Sequence, residues 1–158
     1  MKLIDNIDTS NLLINLGELD SMNIESLFHK AVNQFNYGNK REAYFMFKQV
    51  VEIDPAYIHN PEEAGGDNAY FYLGLFYLND IEDIDGAIEL FTKAIELCPH
   101  DDASWENRGY CWIDKGEYEK AIADFEIALK GNFGGTDKEE IKSVIKEAKK
   151  ALKKEGID

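Results

Sequence analysis

The residues able to do acid–base, nucleophilic or metal chemistry are few and scattered. His29, His59 and His100 show no metal-ligand spacing. His59 with Glu62 and Glu63 offers ligand types for a divalent ion. A metal centre needs three or more ligands converging on one point, however, and nothing in this run signals convergence. The acids of Asp80-Ile81-Glu82-Asp83-Ile84-Asp85-Gly86 lack the alternation, the following glycine and the closing Glu of a calcium loop. They read instead as a turn followed by acids at a helix N-terminus, where the helix dipole favours them. Cys98 and Cys111 form no CxxC pattern and fall inside helical periodicity, which suits small buried apolar residues in a reducing compartment. There is no GxSxG, phosphate loop or HExxH, and Gly134-Gly135 reads as a turn before the last helix. No catalytic residue, cofactor or metal is expected, and the chain is not expected to be an enzyme.

The same residue types must then be serving a scaffold. The chain has 158 residues, enough for one domain with a real core, and its 44% hydrophobic and 12% aromatic content excludes a disordered chain. Its formal charge is −14, a field that repels phosphate backbones and anionic lipid, so nucleic acid and membrane are excluded as partners. Residues 137–158 carry +1, leaving −15 on residues 1–136. A basic partner or simple solubility fits that balance. No 18-residue apolar run and no apolar stretch of signal-peptide type occurs, so a cytoplasmic protein is expected.

Self-similarity supplies the architecture. In Glu42–Phe47, Gly86–Phe91 and Lys120–Phe125 an alanine is followed four residues later by phenylalanine. Three residues on stands Val50, Ala94 or Ala128, and five beyond that Pro55, Pro99 or Phe133. This spacing puts the three repeated residues on one helix face, and the prolines stop the helix. Ala43 to Ala87 is 44 residues and Ala87 to Ala121 is 34. The longer gap is 34 plus ten: nine residues after Pro55 and one in the turn near Asp83. A second helix pattern precedes each segment. Helices are expected over 24–37, 40–53, 67–79, 84–97, 102–115, 118–130 and 137–154. The last has Ile141, Val144, Ile145, Ala148, Ala151 and Leu152 on one stripe and lysines elsewhere, as a terminal cap requires.

The third copy reads Trp105, Gly109, Trp112, Gly116, Tyr118, Ala121, Phe125, Ala128 and the second Tyr70, Leu73, Gly74, Tyr77, Ala87, Phe91, Ala94, Pro99. The first, Leu27, Ala31, Gly38, Ala43, Phe47, Val50, Pro55, is worn. Over Ile24–Phe133 this pattern resembles the tetratricopeptide repeat. Lys30, Gln34 and Arg108 depart from it and read as edge wear. The expected fold is all-α: an α-solenoid of three antiparallel helix pairs (24–57, 67–100, 101–133) with a capping helix in 134–158. A loop is inserted at 58–66, and the N-terminal segment 1–23 is left unassigned.

In the family that this pattern resembles, the first helices of successive pairs line a concave groove. The rows that the resemblance implies for it are Phe28, Val32, Phe35; Phe71, Leu75, Leu78; and Glu106, Tyr110, Ile113. Eight of the nine are apolar, so the groove is greasy. Ala69–Leu78 is apolar all round, and a helix of that kind needs cover on every side. The cover can be a partner, the N-terminal segment with Leu12, Leu13, Ile14 and Leu16, or a second copy. Some family members grip a chaperone's C-terminal carboxylate with cationic and amide side chains. The matching places here are Phe28, Val32, Tyr72, Ala103 and Asn107, of which Asn107 alone fits, so that role is not expected.

The function expected is protein–protein interaction: an adaptor or chaperone-like module holding a peptide or helix of another protein in an apolar groove. The length, repeat number and acidity also resemble the small chaperones of bacterial secretion translocators. The alternatives are an immunity or inhibitor protein that captures a basic partner on its acidic surface, and a self-associating assembly module or homodimer.

Overall fold

The computed structural model describes residues 23–61, 67–131 and 137–156. The N-terminal segment, most of the inserted loop and the Gly134-Gly135 turn lie outside them. Seven α-helices are described: α1 Ile24–Asn36, α2 Lys40–Ile53, α3 Ala69–Phe76, α4 Ile84–Leu97, α5 Asp102–Asp114, α6 Tyr118–Ala128 and α7 Lys138–Glu155. The fold class is all-α, with helix pairs α1–α2, α3–α4 and α5–α6 followed by α7. The chain divides into two compact units, the first ending at Tyr57 and the second beginning at Ile58.

Local chemistry sets the helix ends. Asn23, Asn68, Asp83, Asp101 and Asp137 each accept a hydrogen bond from a backbone N–H of the first turn that follows. Such caps satisfy donors that no helix can satisfy itself. The turns inside the first and third pairs pass through Gly38 and Gly116 at φ 87° and 73°, the left-handed region that a side chain disfavours.

In the first unit, Ala43, Phe47 and Val50 of α2 are buried against Leu27, Phe28 and Ala31 of α1. The Phe28 ring meets Phe47 edge-on at 5.7 Å and also lies 5.7 Å from Tyr57. In the second unit the repeated triplets Ala87, Phe91, Ala94 and Ala121, Phe125, Ala128 are buried in the same way. A Cβ at Gly74 would stand 2.7 Å from the Phe91 ring, and one at Gly109 would stand 2.8 Å from Phe125. Both glycines therefore let the phenylalanine of the second helix reach the backbone of the first. Helix α7 closes this unit by burying Ile141, Ile145 and Ala148 against α6.

Two expectations are corrected. The single extra residue of the second copy is not in the turn near Asp83. It is absorbed by a π-helical stretch, Tyr77–Ile81, that continues α3. The glycine-to-turn interval shows why: Gly109 to Gly116 is seven residues, whereas Gly74 to Glu82 is eight. A wider turn takes in one residue without moving either flank. Glu82 then occupies the left-handed position at φ 61°, where the other copies have glycine. The side-chain amide of Asn79 donates to the Leu75 carbonyl at 2.9 Å within this irregular stretch.

Arg108 is the second correction. It is not edge wear. Its guanidinium donates twice to the Asp124 carboxylate, at 2.7 and 2.8 Å, and once to the Thr92 hydroxyl at 2.9 Å. It also lies 4.9 Å from the Trp105 ring. One side chain of α5 thus ties α4 to α6. The inserted loop is pinned at its base, where His59 and Asp67 exchange backbone hydrogen bonds of 2.7 and 3.0 Å.

Candidate interaction surface

The nine residues expected to line a groove fall into the two units. In the first, Phe28 is fully buried, with Phe47 and Tyr57 against its ring. Val32 and Phe35 are half-buried on the same helix. In the second, Phe71, Leu75 and Leu78 of α3 and Glu106, Tyr110 and Ile113 of α5 are all half-buried. Phe71, Leu75 and Leu78 pack one side onto the core formed by Ala87, Ile88, Phe91 and Cys111. Tyr110 and Ile113 do the same on the core around Phe125 and Ile141. Each row therefore has an anchored side and an accessible side, as a rigid contact surface requires.

The α5 row borders α7. The Tyr110 hydroxyl donates to the Glu140 carboxylate at 3.4 Å. Burial first, then the nearby charges of Glu140, Glu106 and Asp137, push the Tyr110 hydroxyl up to about 12. Further along, Ile113 and Tyr118 face Val144, Ala148 and Ala151 across an open pocket of about 350 Å³. Sequence reasoning gave α7 only the role of a cap and missed this wall. The signal was present, since Glu140, Val144, Ala148 and Ala151 follow helical spacing, but which neighbour that face meets is a tertiary property.

Cys98 and Cys111 are both buried free thiols. Burial pushes both up, Cys111 to about 11, which leaves neither as a nucleophile at neutral pH. Asn107 spends its side-chain amide on the Ala103 carbonyl of its own helix at 2.8 Å. Among the described residues no helix is long and apolar enough to cross a membrane.

A helical-repeat protein built on paired antiparallel helices is defined by these features. Residues 67–101 match the family model described as tetratricopeptide repeat. DnaJ homolog subfamily C member 7 of Homo sapiens is 28% identical over 130 residues, covering 78% of this chain and 25% of that protein. Mitochondrial import receptor subunit TOM70 of Homo sapiens is 30% identical over 99 residues, covering 61% of this chain and 14% of that protein. The chain thus spans a quarter or less of the length of these curated relatives. Among solved structures, the type III secretion translocator chaperone SycD of Yersinia enterocolitica superposes with a TM-score of 0.66 at 18% identity, covering 89% of this chain and 93% of that one. The first repeat domain of Spaghetti (RPAP3), bound to an HSP90 peptide, gives 0.62 at 20% identity, covering 82% and 93%.

Proposed function

We propose that the chain is a cytoplasmic, non-enzymatic interaction module, an adaptor or chaperone-like protein, with its repeats divided as 24–57, 67–100 and 101–133. It holds a segment of another protein against the accessible sides of its first helices. The observation that carries this reading is the pair of half-buried apolar rows on α3 and α5, each fixed from behind by a packed core. SycD has also been solved with a peptide of the translocator YopD, and the TPR2B domain of yeast Sti1 in a complex with pHsp70. Those partners belong to those proteins. What supports the same mode here is a related fold that presents an apolar face.

Binding follows from burial. Each large apolar anchor covered by Phe71, Leu75, Leu78 or Tyr110 contributes about 1.5–3 kcal/mol before ordering costs. Three or four such contacts give a micromolar complex, on the order of −8 kcal/mol. A carboxylate clamp is not part of the proposal, because Tyr72 and Ala103 supply no cation and Asn107 is engaged within α5. The −14 charge favours a second reading, capture of a basic partner by the acidic surface. Charge-driven capture weakens steeply with salt, whereas apolar burial does not.

The test is capture from source-cell lysate by the wild-type chain and by Phe71→Glu/Leu75→Glu, with thermal unfolding confirming that both are folded. A protein retained by the wild type and lost by the variant supports the reading. Equal retention by both contradicts it.

A further inference from the structure

The furrow between α5 and α7 joins two chemically different ends. At one end Tyr110 is flanked by Glu106, Glu140 and Asp137, close enough for all three to act on its hydroxyl. Among the described residues no ion pair neutralises Glu140 or Asp137, and the neighbouring lysines point elsewhere. Lys138 donates to the Gly131 carbonyl at 2.8 Å and Lys142 pairs with Glu139 at 2.6 Å. At the other end lies the open apolar pocket of Ile113, Tyr118, Val144, Ala148 and Ala151, with Ser143 and Glu147 on its lining. Glu147 is paired with Lys150 at 2.6 Å, so the pocket end is the less charged of the two. From Glu140 to Ala148 is eight residues of helix, about 12 Å of axial rise.

We infer that this furrow binds a segment of another protein carrying a lysine or arginine about 12 Å from an aliphatic anchor, the cation beside Glu140 and the anchor in the pocket. That separation is three to four residues of extended chain, at roughly 3.3 Å each. The volume of about 350 Å³ exceeds one leucine side chain, so a second apolar contact has room. Complementary charge sets which segment docks and in which direction, while the pocket supplies the burial. The inference rests on the proposed interaction role and makes α7 a wall of the binding surface as well as a cap.

The test uses the full chain labelled with ¹⁵N and three fluorescein-labelled ten-residue peptides. The first has a Lys-Ser-Gly-Ser-Leu core in a Gly/Ser background, the second Glu in place of Lys, and the third Ser in place of Leu. The expected result is at least tenfold tighter binding of the first, with amide shifts at Ile113, Val144 and Ala148. Glu140→Lys, at an exposed position, should reverse the order of the first two peptides, with circular dichroism confirming that the variant is folded. Val144→Glu should remove the shifts at Ile113 while circular dichroism is unchanged. Equal binding of the three peptides, or no shift at these residues up to about 1 mM peptide, overturns the inference. Shifts confined to Phe71, Leu75 and Leu78 also overturn it, yet leave the broader interaction role standing.

Discussion

Arg108 and Asp124 form the main polar bond of the second unit. Their side chains are 15% and 7% exposed, so removing one partner strands the other charge with little water to solvate it. Asp124→Ala is therefore expected to cost about 3 kcal/mol in chemical denaturation, while Arg108→Leu/Asp124→Leu costs far less because no charge is left behind. A double variant as unstable as Asp124→Ala would show that the pair contributes through its own attraction. This interaction was not legible in the sequence. Its partners lie sixteen residues apart on different helices, and an arginine in place of leucine looks like decay until the aspartate is seen. The full burial of Phe28 was not legible for a related reason, because periodicity identifies an apolar residue but not which of its sides a neighbour covers.

Tyr110 supplies a pH-dependent reporter at the same scale. Its hydroxyl is raised from the model-peptide value of 10.0 to about 12, chiefly by burial and then by Glu140. In the unfolded chain the hydroxyl ionises at the lower value. The stability it contributes is thus fully present below about pH 10 and is lost as the pH rises from there towards 12. Ultraviolet titration of the phenolates should show late-titrating tyrosines, Tyr72 among them because burial raises it too, of which Tyr110 moves down in Glu140→Gln. An unmoved titration in that variant would contradict the α5–α7 contact.

At the scale of elements, periodicity carried most of the information. The 4–3 spacing of alanine, phenylalanine and a small residue located α2, α4 and α6, and prolines located the ends of α2 and α4. What it did not reveal was how one extra residue is housed. A turn and a π-helical stretch have the same sequence length, and in the π-helical arrangement Tyr77 packs against Gly86, where a Cβ would stand 2.5 Å from the ring. The π stretch leaves Glu82 in the left-handed region that Gly38 and Gly116 occupy elsewhere. Glu82→Gly is expected to raise stability by about 1 kcal/mol, read as a shift in the denaturation midpoint at constant slope. A neutral or destabilising outcome would mean that the glutamate side chain contributes more than its backbone conformation costs.

At the scale of the whole chain, charge and function separate. The acid excess lies outside residues 137–158 and favours solubility and basic partners. The apolar rows lie on first helices and favour burial. The sequence made both visible, and the family resemblance said which rows to inspect. The α5–α7 furrow was invisible because it depends on how α7 seats on α6, through Ile141 and Ile145. A binding site of this kind is a property of neighbouring faces rather than of any motif.

The most direct test of the interaction role is the dissociation constant of the captured partner for the wild-type chain and for Phe71→Glu/Leu75→Glu, measured at low and at about 0.5 M salt. The account predicts micromolar affinity for the wild type that changes little with salt and is lost in the variant. Affinity that survives the substitutions and collapses in salt would contradict it and place the partner on the acidic surface instead.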